Sequence, residues 1–201
     1  MPNDGPVKTA RRTGRLIVIS GPSGTGKTSI CNRLLEQLPD AVWSISATTR
    51  PKRPNEVAGE NYRFISPEEF EAMRARGEFL ETAEYVGNMY GTPAAPAREA
   101  VQTGKFMILE IEVQGGVQVA QAMPDSIRVF VLPPTHETLV ARLEGRKTES
   151  AEQLKRRLAE ADGEIAAAQD LGCYQHFVTN DILDETVADI MDIIDKEMQE
   201  K

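Results

Sequence analysis

Residues 21–28 read Gly-Pro-Ser-Gly-Thr-Gly-Lys-Thr, and no other stretch constrains the fold of this chain as tightly. The spacing is G-x-x-x-x-G-K-[ST], a loop that wraps phosphate between a strand and a helix. Upstream, Leu16, Ile17, Val18 and Ile19 form a β-branched apolar run that reads as a buried strand. Downstream, Ile30, Leu34, Leu35 and Leu38 recur at helical spacing. The loop therefore opens a helix, whose free N–H groups and dipole favour an anion. Glycine lets the backbone approach phosphate with no Cβ in the way. Gly21, Pro22, Ser23, Gly24, Thr25, Gly26, Lys27, Thr28 and Ser29 are the candidate nucleotide-phosphate residues. Lys27 can reach the β- and γ-phosphates, and the Thr28 hydroxyl is the candidate Mg²⁺ ligand.

The chain carries 31 acidic against 23 basic residues, a net charge of −8. That excludes a general nucleic-acid binder, which needs a basic face, but not a small anion met by a local arginine cluster. No apolar run approaches the ~20 residues of a membrane span, so no membrane partner is expected. Residues 1–13 are polar, carry Lys8, Arg11 and Arg12, lack a secretory apolar core, and read as a flexible tail. Cys31 and Cys173 lie far apart in no metal spacing, which suits a reducing cytoplasm. His136 and His176 read as packing or surface residues.

Strand signals fall at 16–20, 106–112, 127–132 and 175–179, and helix signals at 27–37, 116–121, 135–144, 151–168 and 185–198. This alternation predicts an α/β fold with a parallel sheet covered on both faces. Residues 43–100 break the rhythm. Residues 43–48 predict a strand, 50–56 are too proline-rich for a helix, and 62–65 alternate like a short strand. Ser66-Pro67-Glu68-Glu69 starts a helix that Gly77 ends, and 79–85 alternate again. An α+β lobe is therefore expected as an insertion. It holds Arg50, Arg53, Tyr62 and Tyr90, whose guanidinium forks and hydroxyls fit a second anion site; a solvated basic loop is the alternative.

Several segments in order carry a resemblance that covers nearly all of residues 14–198. They are 18–27 (VISGPSGTGK), 46–54 (SATTRPKRP), 59–64 (GENYRF), 78–81 (EFLE), 85–92 (YVGNMYGT), 109–115 (LEIEVQG) and 142–149 (RLEGRKTE). The sequence resembles the guanylate kinase family of P-loop nucleoside monophosphate kinases. The resemblance implies a three-layer core over 14–45, 101–135 and 165–198, a GMP-binding lobe over 46–100, and a helical lid over about 136–164. It implies Mg²⁺-dependent phosphoryl transfer from ATP to GMP or dGMP. Arg50, Arg53, Tyr62 and Tyr90 would then hold the GMP phosphate. Ser46, Glu81 and Thr92 would read guanine, with Glu110 and Glu112 on the GMP side. Lid residues Arg142, Arg146 and Arg157 would act with Lys27 on the transferring group, and Asn180 would lie at the adenine end.

Guanine presents N–H donors at N1 and N2 and an acceptor at O6. A carboxylate at Glu81 can take both donors, and hydroxyls at Ser46 and Thr92 can donate to O6. Adenine would leave that carboxylate partly unpaired, a mismatch worth on the order of 10⁴ in selectivity. Three positions depart from the family pattern: Asn55 and Lys147 stand where glycine is usual, and Glu112 stands where aspartate is usual. Two other readings remain open at this stage: a non-catalytic interaction module of the same fold, and a P-loop kinase for another small substrate. Oligomeric state is not legible.

Overall fold

The computed structural model describes residues 14–60, 62–144 and 151–200. β1 (Leu16–Ser20) is buried along its whole length and runs into the phosphate loop and α1 (Lys27–Gln37). β2 (Val42–Trp43), β7 (Met107–Glu110), β8 (Ile127–Leu132) and β9 (His176–Thr179) join β1 in a five-stranded parallel sheet ordered β2-β7-β1-β8-β9. The chain leaves β1 for one side of the sheet and later returns to the other. The reversal puts a ligand crevice at the carboxyl end of β1.

Side chains alternate across β1, and each face finds its own cover. Ile17 and Ile19 pack with Ile30, Cys31 and Leu34 of α1 and with Val187, Ile190 and Ile194 of α7 (Leu183–Gln199). Leu16 and Val18 pack on the opposite face with Ala97 and Ala100 of α3 (Ala94–Gln102) and Val119 of α4 (Val113–Ala122). This is the expected three-layer α/β core.

The insertion builds a second, four-stranded sheet ordered β4-β3-β6-β5. Its strands are β3 (Ala47–Thr48), β4 (Arg63–Phe64), β5 (Phe79–Tyr85) and β6 (Asn88–Pro93), with α2 (Pro67–Ala75) between β4 and β5. Ser66 caps α2 by accepting from the Glu69 N–H, with Pro67 in the first turn, as its sequence predicts. The strand expected over 43–48 is two strands in two different sheets. The strand expected over 106–112 ends at Glu110, and Glu112 is the N-cap of α4 with φ −72° and ψ 159°. α4 thus begins before the predicted 116.

α5 (His136–Glu144) and α6 (Ala151–Leu171) pack through Leu139, Leu143 and Ala161. α6 runs unbroken past residue 164, so the expected lid-to-core boundary falls inside one helix. No helix among the described residues is long and apolar enough to cross a membrane. The tail over 1–13, Lys147 and Arg146 lie outside the described residues.

Candidate active site

A cleft of about 890 Å³ opens over the carboxyl end of β1, between the sheet, the inserted lobe and α6. The phosphate loop forms one wall. Gly21 and Gly26 have φ of 145° and 87°, in the region that favours glycine. Both are also hemmed in. A Cβ at Gly21 would stand 2.4 Å from the Val131 carbonyl oxygen, and one at Gly26 would stand 2.5 Å from Asn180 Nδ2. Asn180 donates through Nδ2 to the Thr25 carbonyl at 2.7 Å, so it braces the loop from behind. Lys27 Nζ donates to the Gly21 and Pro22 carbonyls at 2.5 and 3.1 Å, which centres its charge over the loop. At the first turn of α1, Thr28 Oγ1 donates to Glu110 Oε2 at 3.0 Å. Burial raises the Glu110 pKa, Lys27 and the Thr28 hydroxyl pull it down, and Glu112 pushes it up.

The lobe supplies an arginine site on the opposite wall. Arg50 donates through both terminal nitrogens to Glu56, at 2.7 and 3.0 Å, and the Arg53 backbone N–H donates to the same carboxylate at 2.8 Å. The Arg50 guanidinium lies 5.5 Å from the Tyr62 ring centroid and 5.7 Å from that of Phe64. Tyr62 meets Tyr90 edge-on at 5.9 Å. The Arg50 hydrogen bonds, and then the Arg53 N–H, hold the Glu56 carboxyl down at about 2. A fork, a short turn and two phenols are thereby fixed around one spot.

Deeper in the lobe, Glu81 is 5% exposed and Thr92 is fully buried. Thr92 Oγ1 donates to Glu81 Oε1 at 2.7 Å. Burial is the main cause raising the Glu81 pKa; the Thr92 hydroxyl opposes it and Glu112 adds to it. The Thr92 proton, expected to meet guanine O6, here goes to Glu81. Ser46 lines the cleft on the same side.

A family model described as guanylate kinase matches residues 13–197. The chain belongs to the guanylate kinase family. It is 46% identical over 183 residues to a guanylate kinase of Rubrobacter xylanophilus, covering 91% of this chain and 94% of the relative. It is 50% identical over 162 residues to one of Rhodococcus jostii, covering 80% and 78%. The crystal structure of guanylate kinase from Anaplasma phagocytophilum superposes with a TM-score of 0.74 at 31% identity, covering 93% of this chain and 87% of that one.

Within this guanylate kinase fold, the cleft brings together phosphate-loop residues with Ser46, Tyr62, Glu110, Glu112 and Arg157 from the expected set, while Arg50, Arg53, Glu81, Tyr90 and Thr92 stand in the lobe behind its lining. It does not bring Arg142 there. Arg142 donates to the Asn180 carbonyl at 3.0 Å and to the Asp181 carbonyl at 3.4 Å, bracing the β9–α7 loop. Three residues with structural claims on the site carry no role in the sequence reading. Glu56 organises the arginine site, and its place three residues after Arg53 in a proline-rich turn was the available signal. Glu164 lies on the α6 face that lines the cleft, its pKa raised by burial and then by the nearby Glu112 carboxyl. Its spacing from Arg157 and Ala161 puts all three on one helix stripe, which is legible in the sequence. Gln118 touches the lobe from α4, and nothing in its spacing announces that contact.

Proposed function

We propose that this chain is an ATP:GMP phosphotransferase, converting ATP and GMP to ADP and GDP, with dGMP as a second acceptor. One observation carries the acceptor assignment: the inserted lobe holds both a buried carboxylate, Glu81, with Thr92 bonded to one oxygen, and an arginine site whose Glu56 and Tyr62 line the same cleft as the phosphate loop. A base reader and an acceptor-phosphate seat in one lobe, facing a donor-phosphate loop, are what a nucleoside monophosphate and a triphosphate require.

The loop N–H groups and Lys27 hold the donor phosphates and neutralise charge on the transferring group. Arg50, Arg53, Tyr62 and Tyr90 hold the acceptor phosphate as the incoming nucleophile. Glu81 accepts from N1 and N2 of guanine, and Ser46 donates to O6. Arg157, and Arg146 outside the described residues, act on the transferring phosphoryl from the lid side. Thr28 Oγ1 against the Glu110 carboxylate is an all-oxygen donor set, which fits Mg²⁺. Mg²⁺ bound with ATP would be held at Thr28 and Glu110 and would supply charge neutralisation to the donor phosphates. With both reactants positioned, the residues supply orientation and field, and no covalent intermediate on the protein is needed. We place the enzyme in the cytoplasm, a setting consistent with two buried free thiols.

A coupled ADP-release assay with GMP, dGMP, AMP and dTMP tests the reading. Release with GMP and dGMP, and little with AMP or dTMP, is the expected result. Equal release with AMP would remove the guanine assignment.

A further inference from the structure

β5 is the last strand of the inserted sheet, so alternate main-chain groups on its outer edge have no strand to meet them. At Thr82 a side chain takes that place. The Thr82 N–H donates to Gln118 Oε1 at 3.1 Å, and Gln118 Nε2 donates to the Thr82 carbonyl at 3.0 Å. A planar amide on α4 thus closes the sheet edge as a neighbouring strand would.

The residue before Thr82 is Glu81. It pairs with Thr92 across the sheet and turns its carboxylate towards α4. Gly115, one turn before Gln118, leaves the space that carboxylate needs. A Cβ at Gly115 would stand 3.1 Å from Glu81 Oε2 and 3.4 Å from its Cδ. The side chain is therefore held from three directions: the Thr92 hydroxyl, the clamped main chain of Thr82, and the bare first turn of α4. That turn carries the positive end of the helix dipole, which favours the ionised carboxylate against the cost of burial. Gly115 lies inside α4 and is not among the positive-φ glycines, so helical backbone does not explain the glycine. The contact with Glu81 and Ile111 does.

We propose that Gln118 and Gly115 are specificity-determining positioning residues: they hold the Glu81 carboxylate in the base site and so set the preference for guanine over adenine. The proposal rests on the reading of Glu81 as the group that accepts from guanine.

The test measures kcat and KM for GMP, AMP and ATP in the full chain, with Gln118→Met and Gly115→Ala, each alone and combined with Glu81→Gln. Gln118→Met keeps the stem and removes both hydrogen bonds. In each single variant the GMP/AMP ratio of kcat/KM should fall about tenfold, the equivalent of about 1.4 kcal/mol. The change should sit in KM for GMP, with KM for ATP within about twofold of the parent. Gly115→Ala gains helix propensity but must displace Ile111 Cδ1 and Glu81 Oε2, so a melt of each variant is recorded beside the kinetics, and an unchanged KM for ATP separates lost selectivity from lost folding. In the Glu81→Gln background neither substitution should shift the ratio further, as expected for residues acting through one group. An unchanged ratio in both single variants, a parallel rise in KM for GMP and ATP, or additivity with Glu81→Gln would each overturn the proposal. If Glu81→Gln by itself leaves the ratio unchanged, the reading of Glu81 falls, and this proposal falls with it.

Discussion

Replacing Lys27 with alanine separates chemistry from folding at the phosphate loop. Lys27 is 9% exposed and its ammonium bridges two loop carbonyls at 2.5 and 3.1 Å, so its position is set before any phosphate arrives. Removing one donor aimed at a reacting group typically costs about 10²–10³ in kcat, or about 2.7–4 kcal/mol. Lys27 brings a full charge to more than one phosphate oxygen, so a loss of at least about 10³ is expected in kcat/KM for GMP at saturating ATP. On the folding side, the Gly21 and Pro22 carbonyls each lose a donor. The truncated side chain opens them to cleft water, which limits the stability cost to about 1 kcal/mol. For a chain of this size that is a melting shift of about 2–4 °C. The assay is steady-state ADP release beside a thermal melt of the same preparation. Activity within tenfold of the parent, in a protein melting within a few degrees of it, would refute the placement of Lys27 on the transferring phosphates.

Further outcomes follow from the arginine site and the lid. Glu56→Gln weakens the clamp on Arg50, so GMP binding should weaken about tenfold or more while guanosine binding stays unchanged; calorimetry with both ligands measures this, and equal weakening of the two would remove Glu56 from the phosphate seat. Glu164 has its pKa raised from 4.5 to about 7, by burial first and then by the facing Glu112 carboxylate, with Lys27 opposing and Glu160 adding. The folded state therefore keeps a proton that the unfolded chain releases. That contribution to stability is full below about pH 4.5 and is lost as pH rises through about 7. Thermal melts should show Glu164→Gln with a flatter decline than the parent between pH 5 and 8, and identical slopes would count against the carboxyl pair.

The core was legible because its signals are local. The apolar run of β1, the glycine spacing of the loop and the helical period of α1 each sit within a dozen residues. The donor-phosphate residues were readable for the same reason. Glu112 was placed in the strand because the β-prone segment Met107 to Ile111, broken only by Glu110, runs one residue past the last paired position, and periodicity carries no mark for where pairing stops. The 43–48 segment was read as one strand because the bend between Trp43 and Ala47 contains neither Gly nor Pro. β6 and α3 escaped for a related reason: Asn88 to Pro93 mixes glycine and proline with few alternating apolar residues, and α3 buries mainly alanines. In the site, the roles of Thr92, Arg142 and Gln118 depend on partners 11, 38 and 36 residues away, which no local pattern encodes. Arg142 illustrates the limit well. Only the fold shows that the loop after β9 takes its donors.

Label transfer tests the central claim most directly. ATP carrying a labelled γ-phosphate is incubated with the enzyme, Mg²⁺ and GMP, and the nucleotides are separated. The account predicts that the label moves to GDP in step with ADP formation, that it does not appear as free phosphate, and that AMP in place of GMP leaves it on ATP. Label released mainly to water, or carried to AMP as readily as to GMP, would contradict the account.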